Sequence, residues 1–286
     1  MRTPVVLCAV ALLSSGCGQQ PASPSGAQSP LSPSPVALVQ PANFAGEWQV
    51  TYHVDSCLGR YCYISHINRD EQLTLRLLQL GDRVSGVMLK GLAIDVEGRV
   101  DADGRLSVTG GAPSTIPEVA GLELLRFEAT LDPAAGLQGA LQYQALIPGE
   151  HSAYSSGATG PIVRAIRAPF SPITSFSGTW PGNYDMPSCS AAFGCLLDRN
   201  GDLEFALEER GGQVTGTLVT YPAVRATLSG TVSGDTAVLT GSANSLAVTS
   251  LQIRRTPAGR LLGTASLRGG AGWTAELELR GVALAP

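Results

Sequence analysis

The sequence predicts an all-β protein: two tandem eight-stranded antiparallel up-and-down β-barrels, preceded by a signal peptide and a disordered linker. Three observations lead there. One phrase is written twice, FAGEWQVTYHVDSC at 44–57 and FSGTWPGNYDMPSC at 176–189, with Phe, Gly, Trp, Tyr and Cys at the same five places. Apolar residues recur with period two, the signature of strands with one face inward. Turn signals such as Asn200-Gly201, Ala102-Asp103-Gly104 and Pro257-Ala258-Gly259 break those runs at about ten-residue spacing.

Composition sets the outer bounds. The chain has 286 residues, 44% of them hydrophobic, enough to bury real cores in one large domain or two small ones. Charged residues make up 15% and the net charge is −4, so no basic field exists to hold nucleic acid. With 34 glycines and 6% aromatics, the strands are short and the cores are filled by Val, Leu and Ala. Lys90 is the only lysine, and nothing beside it in sequence points to Schiff-base or nucleophile chemistry.

Residues 1–16 read as a signal peptide: Arg2, an apolar run from Val5 to Leu13, then small residues. That run is too short to cross a bilayer as a helix. Leu13-Ser14-Ser15-Gly16-Cys17 resembles the lipobox of bacterial lipoproteins, which implies a lipidated Cys17 as the mature N-terminus. An ordinary secretory signal, with Cys17 a bystander, is the alternative. Gly18 is not the aspartate that retains such proteins at the inner membrane, so the resemblance implies the outer membrane where the cell has one. Residues 17–42 are rich in Pro, Ser, Gln and Ala and carry no charge, the composition of a disordered tether.

The repeat extends past the opening phrase. Val84-Ser85-Gly86-Val87 aligns with Val214-Thr215-Gly216-Thr217, Gly98 with Gly230 and Gly139 with Gly263. The copies therefore span 43–167 and 175–286, with a proline-bearing spacer or hinge at 168–174, and each is expected to fold alone. In the first copy strands are expected near 46–52, 71–80, 83–90, 93–100, 105–110, 122–131, 137–146 and 159–166. In the second, Leu203, Phe205 and Leu207 alternate with Glu204, Ala206 and Glu208, and Trp273, Ala275, Leu277 and Leu279 with Thr274, Glu276, Glu278 and Arg280. Eight hairpinned strands without a helix can close into a barrel and so remove both exposed edges; a sandwich of seven or eight strands is the alternative.

The openings Gly46-Glu47-Trp48 and Gly178-Thr179-Trp180 resemble the G-x-W signature of lipocalins and the similar opening of avidins. In lipocalins that tryptophan plugs the closed end of the barrel and packs on an arginine of the last strand. The resemblance implies barrel-closing pairs Trp48 with Arg164 and Trp180 with Arg280. Each copy is short for a lipocalin, and only Trp273 remains beyond the openers, so biotin binding is not implied. A barrel this small is largely filled by its own side chains.

Four cysteines remain beyond Cys8 and Cys17, and export places them in an oxidising compartment. Two local disulfides are expected, Cys57–Cys62 and Cys189–Cys195, with a shared four-cysteine zinc site as the arithmetic alternative. His53, His66 and His151 have no counterpart in the second copy and read as exposed or hydrogen-bonded. Asp198 to Glu209 resembles the start of a calcium loop, but its glycine comes too early and an Asn-Gly hairpin turn explains the same residues. No Ser or Cys with His and a carboxylate recurs in both copies, so no catalytic residue, metal or cofactor is assigned.

The expectation is a non-enzymatic, lipid-anchored envelope protein that binds or scaffolds. Its partners would be the membrane, through the N-terminal lipid, and a small apolar ligand or an envelope protein. Duplication would supply avidity. Alternatives are a protease inhibitor resembling the bacterial metalloprotease inhibitors, and a structural lipoprotein without ligand.

Overall fold

A computed structural model describes residues 41–58, 67–112, 121–134, 136–146, 156–190, 195, 197–220, 224–244 and 246–285. The expected signal peptide, most of the tether, Cys17, Cys62, His66 and His151 lie outside the described residues.

The first barrel is built from β1 (Gly46–His53), β3 (Asp70–Leu80), β4 (Arg83–Lys90), β5 (Leu92–Val100), β6 (Arg105–Ala112), β7 (Gly121–Asp132), β8 (Gly136–Leu146) and β9 (Ser156–Ala168). A short β2 (Ser56–Leu58) adds to the edge of β9. Each of the eight strands pairs antiparallel with the next, and β1 pairs with β9, which closes the cylinder.

The second barrel repeats this with β10 (Gly178–Ser190), β11 (Asn200–Arg210), β12 (Gln213–Thr220), β13 (Val224–Ser233), β14 (Thr236–Ala243), β15 (Leu246–Arg255), β16 (Arg260–Gly269) and β17 (Thr274–Arg280). Here β10 pairs with β17, and β18 (Val282–Ala283) attaches to β16. The closed barrel is thus observed in both copies and the sandwich is not.

Period-two burial follows from closure. Trp48, Val50 and Tyr52 of β1 meet Leu75, Leu73 and Glu71 of β3 on the inward face, while Gln49 and Thr51 face outward. Inward side chains fill each cylinder: Phe44, Leu75, Leu77, Met88, Ile94, Leu106 and Phe127 in the first, Phe176, Phe205, Leu218, Leu239, Ile253 and Leu277 in the second.

Some repeated glycines are required by the tight curvature. A Cβ on Gly98 would lie 1.9 Å from the Ser107 carbonyl oxygen, and one on the matching Gly230 would lie 2.0 Å from that of Val238. Only a residue without a side chain lets adjacent strands cross so closely.

The spacer is not a free hinge. The Ile173 amide donates to the Pro257 carbonyl at 2.8 Å, and its carbonyl accepts from Arg255 Nη1. The Phe170 ring lies 5.8 Å from the Arg76 guanidinium. These contacts draw residues 168–174 into the body formed by the two barrels, because the apolar Phe and Ile of APFSPITS have surfaces to cover.

The barrels also touch directly. Val87 and Ala93 on the outer face of the first barrel form a buried cluster with Ala258 and Ala283 of the second. Around it stand Arg76, whose Nη1 donates to the Leu284 carbonyl at 2.8 Å, and Arg260, whose Nη1 donates to Asp95 Oδ2 at 2.8 Å.

Candidate functional site

At the N-terminal end of each barrel the repeated phrase makes the same lock. Trp48 Nε1 donates to the Phe44 carbonyl at 2.8 Å, and Trp180 Nε1 donates to the Phe176 carbonyl at 2.8 Å. The glycine between them holds φ +144° at Gly46 and +136° at Gly178, a backbone region that side-chain-bearing residues avoid. That turn carries the Phe carbonyl back over the indole. The Phe44 amide is capped by Gln79 Oε1 at 2.7 Å and the Phe176 amide by the equivalent Glu209 Oε2 at 2.8 Å.

The arginines differ from expectation. The guanidinium over the Trp48 ring, 5.4 Å from its centroid, belongs to Arg167; Arg164 lies opposite Thr51 and is exposed. The register places Arg167, three residues further along β9, across from Trp48. Arg280 does not reach Trp180. It pairs with Asn183 on the strand, occupies an outward position, and is buried with its Nη1 3.3 Å from Asp185 Oδ1. In that barrel it is Arg255 that stands over an aromatic ring among the described residues, 5.2 Å from the centroid of Phe176.

Cys189–Cys195 is bonded, and Cys57 is disulfide-bonded. His53 Nδ1 lies 2.8 Å from Asp70 Oδ1, a hydrogen bond that raises the pKa of the imidazole. Asn200-Gly201 opens β11 instead of forming a hairpin turn, since Asn200 and Gly201 are already paired with Asp185 and Tyr184. Glu209 sits near the far end of the same strand, so it shares no calcium loop with Asp198.

The opposite end of the first barrel carries a polar constellation. Tyr52, Glu71, Lys90 and Tyr143 come from β1, β3, β4 and β8. Glu71 Oε2 accepts from Tyr52 Oη at 2.6 Å, from Lys90 Nζ at 2.5 Å and from Tyr143 Oη at 3.3 Å. The Lys90 ammonium is 5.2 Å from the Tyr52 ring centroid and 4.9 Å from that of Tyr143, and the two rings are nearly perpendicular at 84°. Burial alone would push the Glu71 carboxyl up, but hydrogen bonds from Lys90 and Tyr52 outweigh it and hold the pKa at about 2. Burial, then the bond to Glu71, raises the Tyr52 phenol.

Sequence reasoning did not assemble this group, whose members are up to 91 residues apart, from Tyr52 to Tyr143. The available signal was parity. Glu71 continues the inward series Leu73, Leu75 and Leu77, and a carboxylate there must have partners.

Lys90 also borders a groove between the barrels. Its volume is about 530 Å³, with apolar walls that include Leu89, Leu92, Pro181, Val219 and Leu284. Asn183, Asp202 and Glu204 supply its polar side, and Asn183 Nδ2 donates to Asp202 Oδ1 at 2.7 Å.

No protein-family model matches the chain, and no curated protein matches it. Solved structures similar to it include a protein of unknown function from the DUF3598 family of Nostoc punctiforme, 12% identical, covering 85% of this chain and 96% of that one with a TM-score of 0.27. The Myxococcus xanthus hemagglutinin in complex with a mannopentaose is 12% identical over 82% of this chain and 100% of that one, with a TM-score of 0.15. The Burkholderia oklahomensis agglutinin is 10% identical over 82% of this chain and 95% of that one, with a TM-score of 0.16. At such TM-scores none of the three informs the site or its ligand.

Proposed function

We propose that this protein is a lipid-anchored envelope lipoprotein whose two docked barrels form one binding module, with the groove between them as the ligand seat. It works by binding, without a catalytic step. The groove carries this reading: at about 530 Å³ it has the size of a small-molecule site, and its apolar walls with a few polar groups on one side have the composition of one. The filled interiors of both cylinders support placing the ligand outside them, unlike a lipocalin's. The ligand class that fits is a small amphipathic molecule, its apolar body against Leu89, Leu92 and Val219 and a hydroxyl or cationic end at Asn183 and Asp202. The anchor follows from the lipobox-like stretch ending at Cys17. Docking changes the role of duplication, since the copies supply two walls of one seat in place of two independent binders.

Native mass spectrometry of the full protein, extracted from envelopes in mild detergent, tests the seat. The wild type should carry a bound small molecule that Val219→Trp, which fills the groove, loses. Retention of that molecule by Val219→Trp would place the ligand elsewhere, and its absence from the wild type would leave the structural-lipoprotein reading. Cys17→Ala should move the protein from the membrane to the soluble fraction.

A further inference from the structure

We propose that the mouth of the first barrel is a binding site for an organic ammonium group, built from Tyr52, Tyr143 and Glu71 and held in the free protein by the chain's own Lys90. The geometry is that of an ammonium cradle. Two tyrosine rings at 84° to one another stand within 5.2 Å and 4.9 Å of one cationic nitrogen, and a carboxylate oxygen closes the third side at 2.5 Å. Ring quadrupoles attract a cation whatever its alkyl substituents, so the cradle recognises primary and methylated ammonium alike.

The second barrel shows that closure does not need this group. The positions matching Tyr52, Glu71, Lys90 and Tyr143 are Tyr184, Gly201, Thr220 and Leu267, all in strands of a barrel that closes in the same way. Gly201 has no side chain to receive the phenol, and a Cβ there would lie 2.7 Å from Tyr184 Oη. One copy has therefore kept a carboxylate, a cation and two phenols where the other has a hydroxyl, a leucine and a glycine around a single phenol. The fold does not account for that difference, whereas a ligand does.

Lys90 is placed to leave. It ends β4 at the Gly91 turn, its side chain keeps 19% of its surface exposed, and its residue lines the groove on whose far wall Asp202 and Glu204 stand. Swinging outward would exchange one carboxylate environment for another. An incoming ammonium would then take its place beside Glu71, and the two cations would compete for one cradle. This site does not depend on the groove being the ligand seat.

Choline, with the neutral isostere 3,3-dimethyl-1-butanol as control, is the probe, applied to the full mature chain. Lys90→Met removes the internal competitor and should bind choline at least about tenfold more tightly than wild type, a difference of about 1.4 kcal/mol. The isostere should bind at least about tenfold more weakly than choline, and Glu71→Gln added to Lys90→Met should reduce that preference to the part the two rings supply. In the Lys90→Met background, where no lysine has to swing into it, Val219→Trp blocks the groove and should leave choline binding unchanged, so failure of the groove and failure of the cradle are separable. Because Lys90 is the only lysine, reductive methylation with ¹³C gives it a single side-chain NMR signal. In wild type that signal should move toward its exposed position as choline saturates. A folded Lys90→Met protein that binds choline no better than wild type, or no better than it binds the isostere, would overturn the proposal; if that variant fails to fold, a Lys90 signal indifferent to choline would do so.

Discussion

Arg260 of the second barrel reaches Asp95 of the first at 2.8 Å, and the two ends of that pair are unequal: the arginine side chain is 5% exposed and the aspartate 46%. Burial pushes the Asp95 carboxyl up despite the neighbouring guanidinium, and burial also pushes Arg260 down. Both directions say that desolvation exceeds attraction. The pair therefore fixes where the barrels meet more than it stabilises them.

Removing one partner should have unequal effects. Asp95→Ala leaves a buried guanidinium without its carboxylate and should cost about 2–3 kcal/mol, whereas Arg260→Ala leaves a carboxylate that water can reach and should cost about 1 kcal/mol. Replacing both by Leu and Met should fall near neutral. Urea unfolding of the three variants measures this order.

The lock around each tryptophan rests on its glycine. Gly178→Ala would force a Cβ to 2.4 Å from Leu284 Cδ1 at a φ of +136°, and Gly46→Ala one to 2.9 Å from Arg167 Nε at +144°. Each should destabilise by about 1–3 kcal/mol and red-shift the indole emission as the Phe carbonyl contact is lost. Unchanged melting temperatures in both would remove the lock from the list of closing contacts.

Glu71 should make the first barrel acid-sensitive. Its folded pKa, about 2, lies below the ordinary glutamate value of 4.5, so the charged form is preferred in the folded state. The stabilisation is present above about pH 4.5 and is lost as pH falls toward 2, on the order of 1–2 kcal/mol after allowance for its partial exposure. Glu71→Gln should flatten that limb of the stability profile, measured by urea unfolding between pH 5 and about pH 2.

The Cys189–Cys195 bond closes a span of six positions. Replacing both by serine should cost about 2 kcal/mol by the loop-entropy estimate and leave the second barrel folded, as circular dichroism would record.

What could be read from the sequence and what could not divide along a physical line. Strand positions were legible because inward and outward parity is imposed within each barrel: the expected 71–80 and 83–90 match β3 and β4 to within one residue. Closure was legible because eight such strands followed one another without a helix. The docked interface was not, since Arg76, Arg260 and Arg280 occupy outward-parity positions that would face water in an isolated barrel. Only a second barrel laid against the first buries them. The Trp48 partner lies three residues from the expected one, at Arg167 instead of Arg164, because the β1–β9 register that sets Trp48 across from Arg167 and Thr51 across from Arg164 is fixed by barrel closure and leaves no mark in the sequence. The Lys90 cradle stayed hidden for a related reason: barrel closure, not sequence proximity, brings the Tyr143 side chain of β8 to those of Tyr52 on β1 and Lys90 on β4.

Residual dipolar couplings, collected for backbone amides of both barrels in one weakly aligned sample, measure whether the barrels move as a single body. A single alignment tensor should fit strands β1 to β9 and β10 to β18 together, in the relative orientation fixed by Asp95–Arg260 and Arg76–Leu284. Two tensors of different magnitude, one for each barrel, would contradict it, and the groove between them would no longer exist as a site.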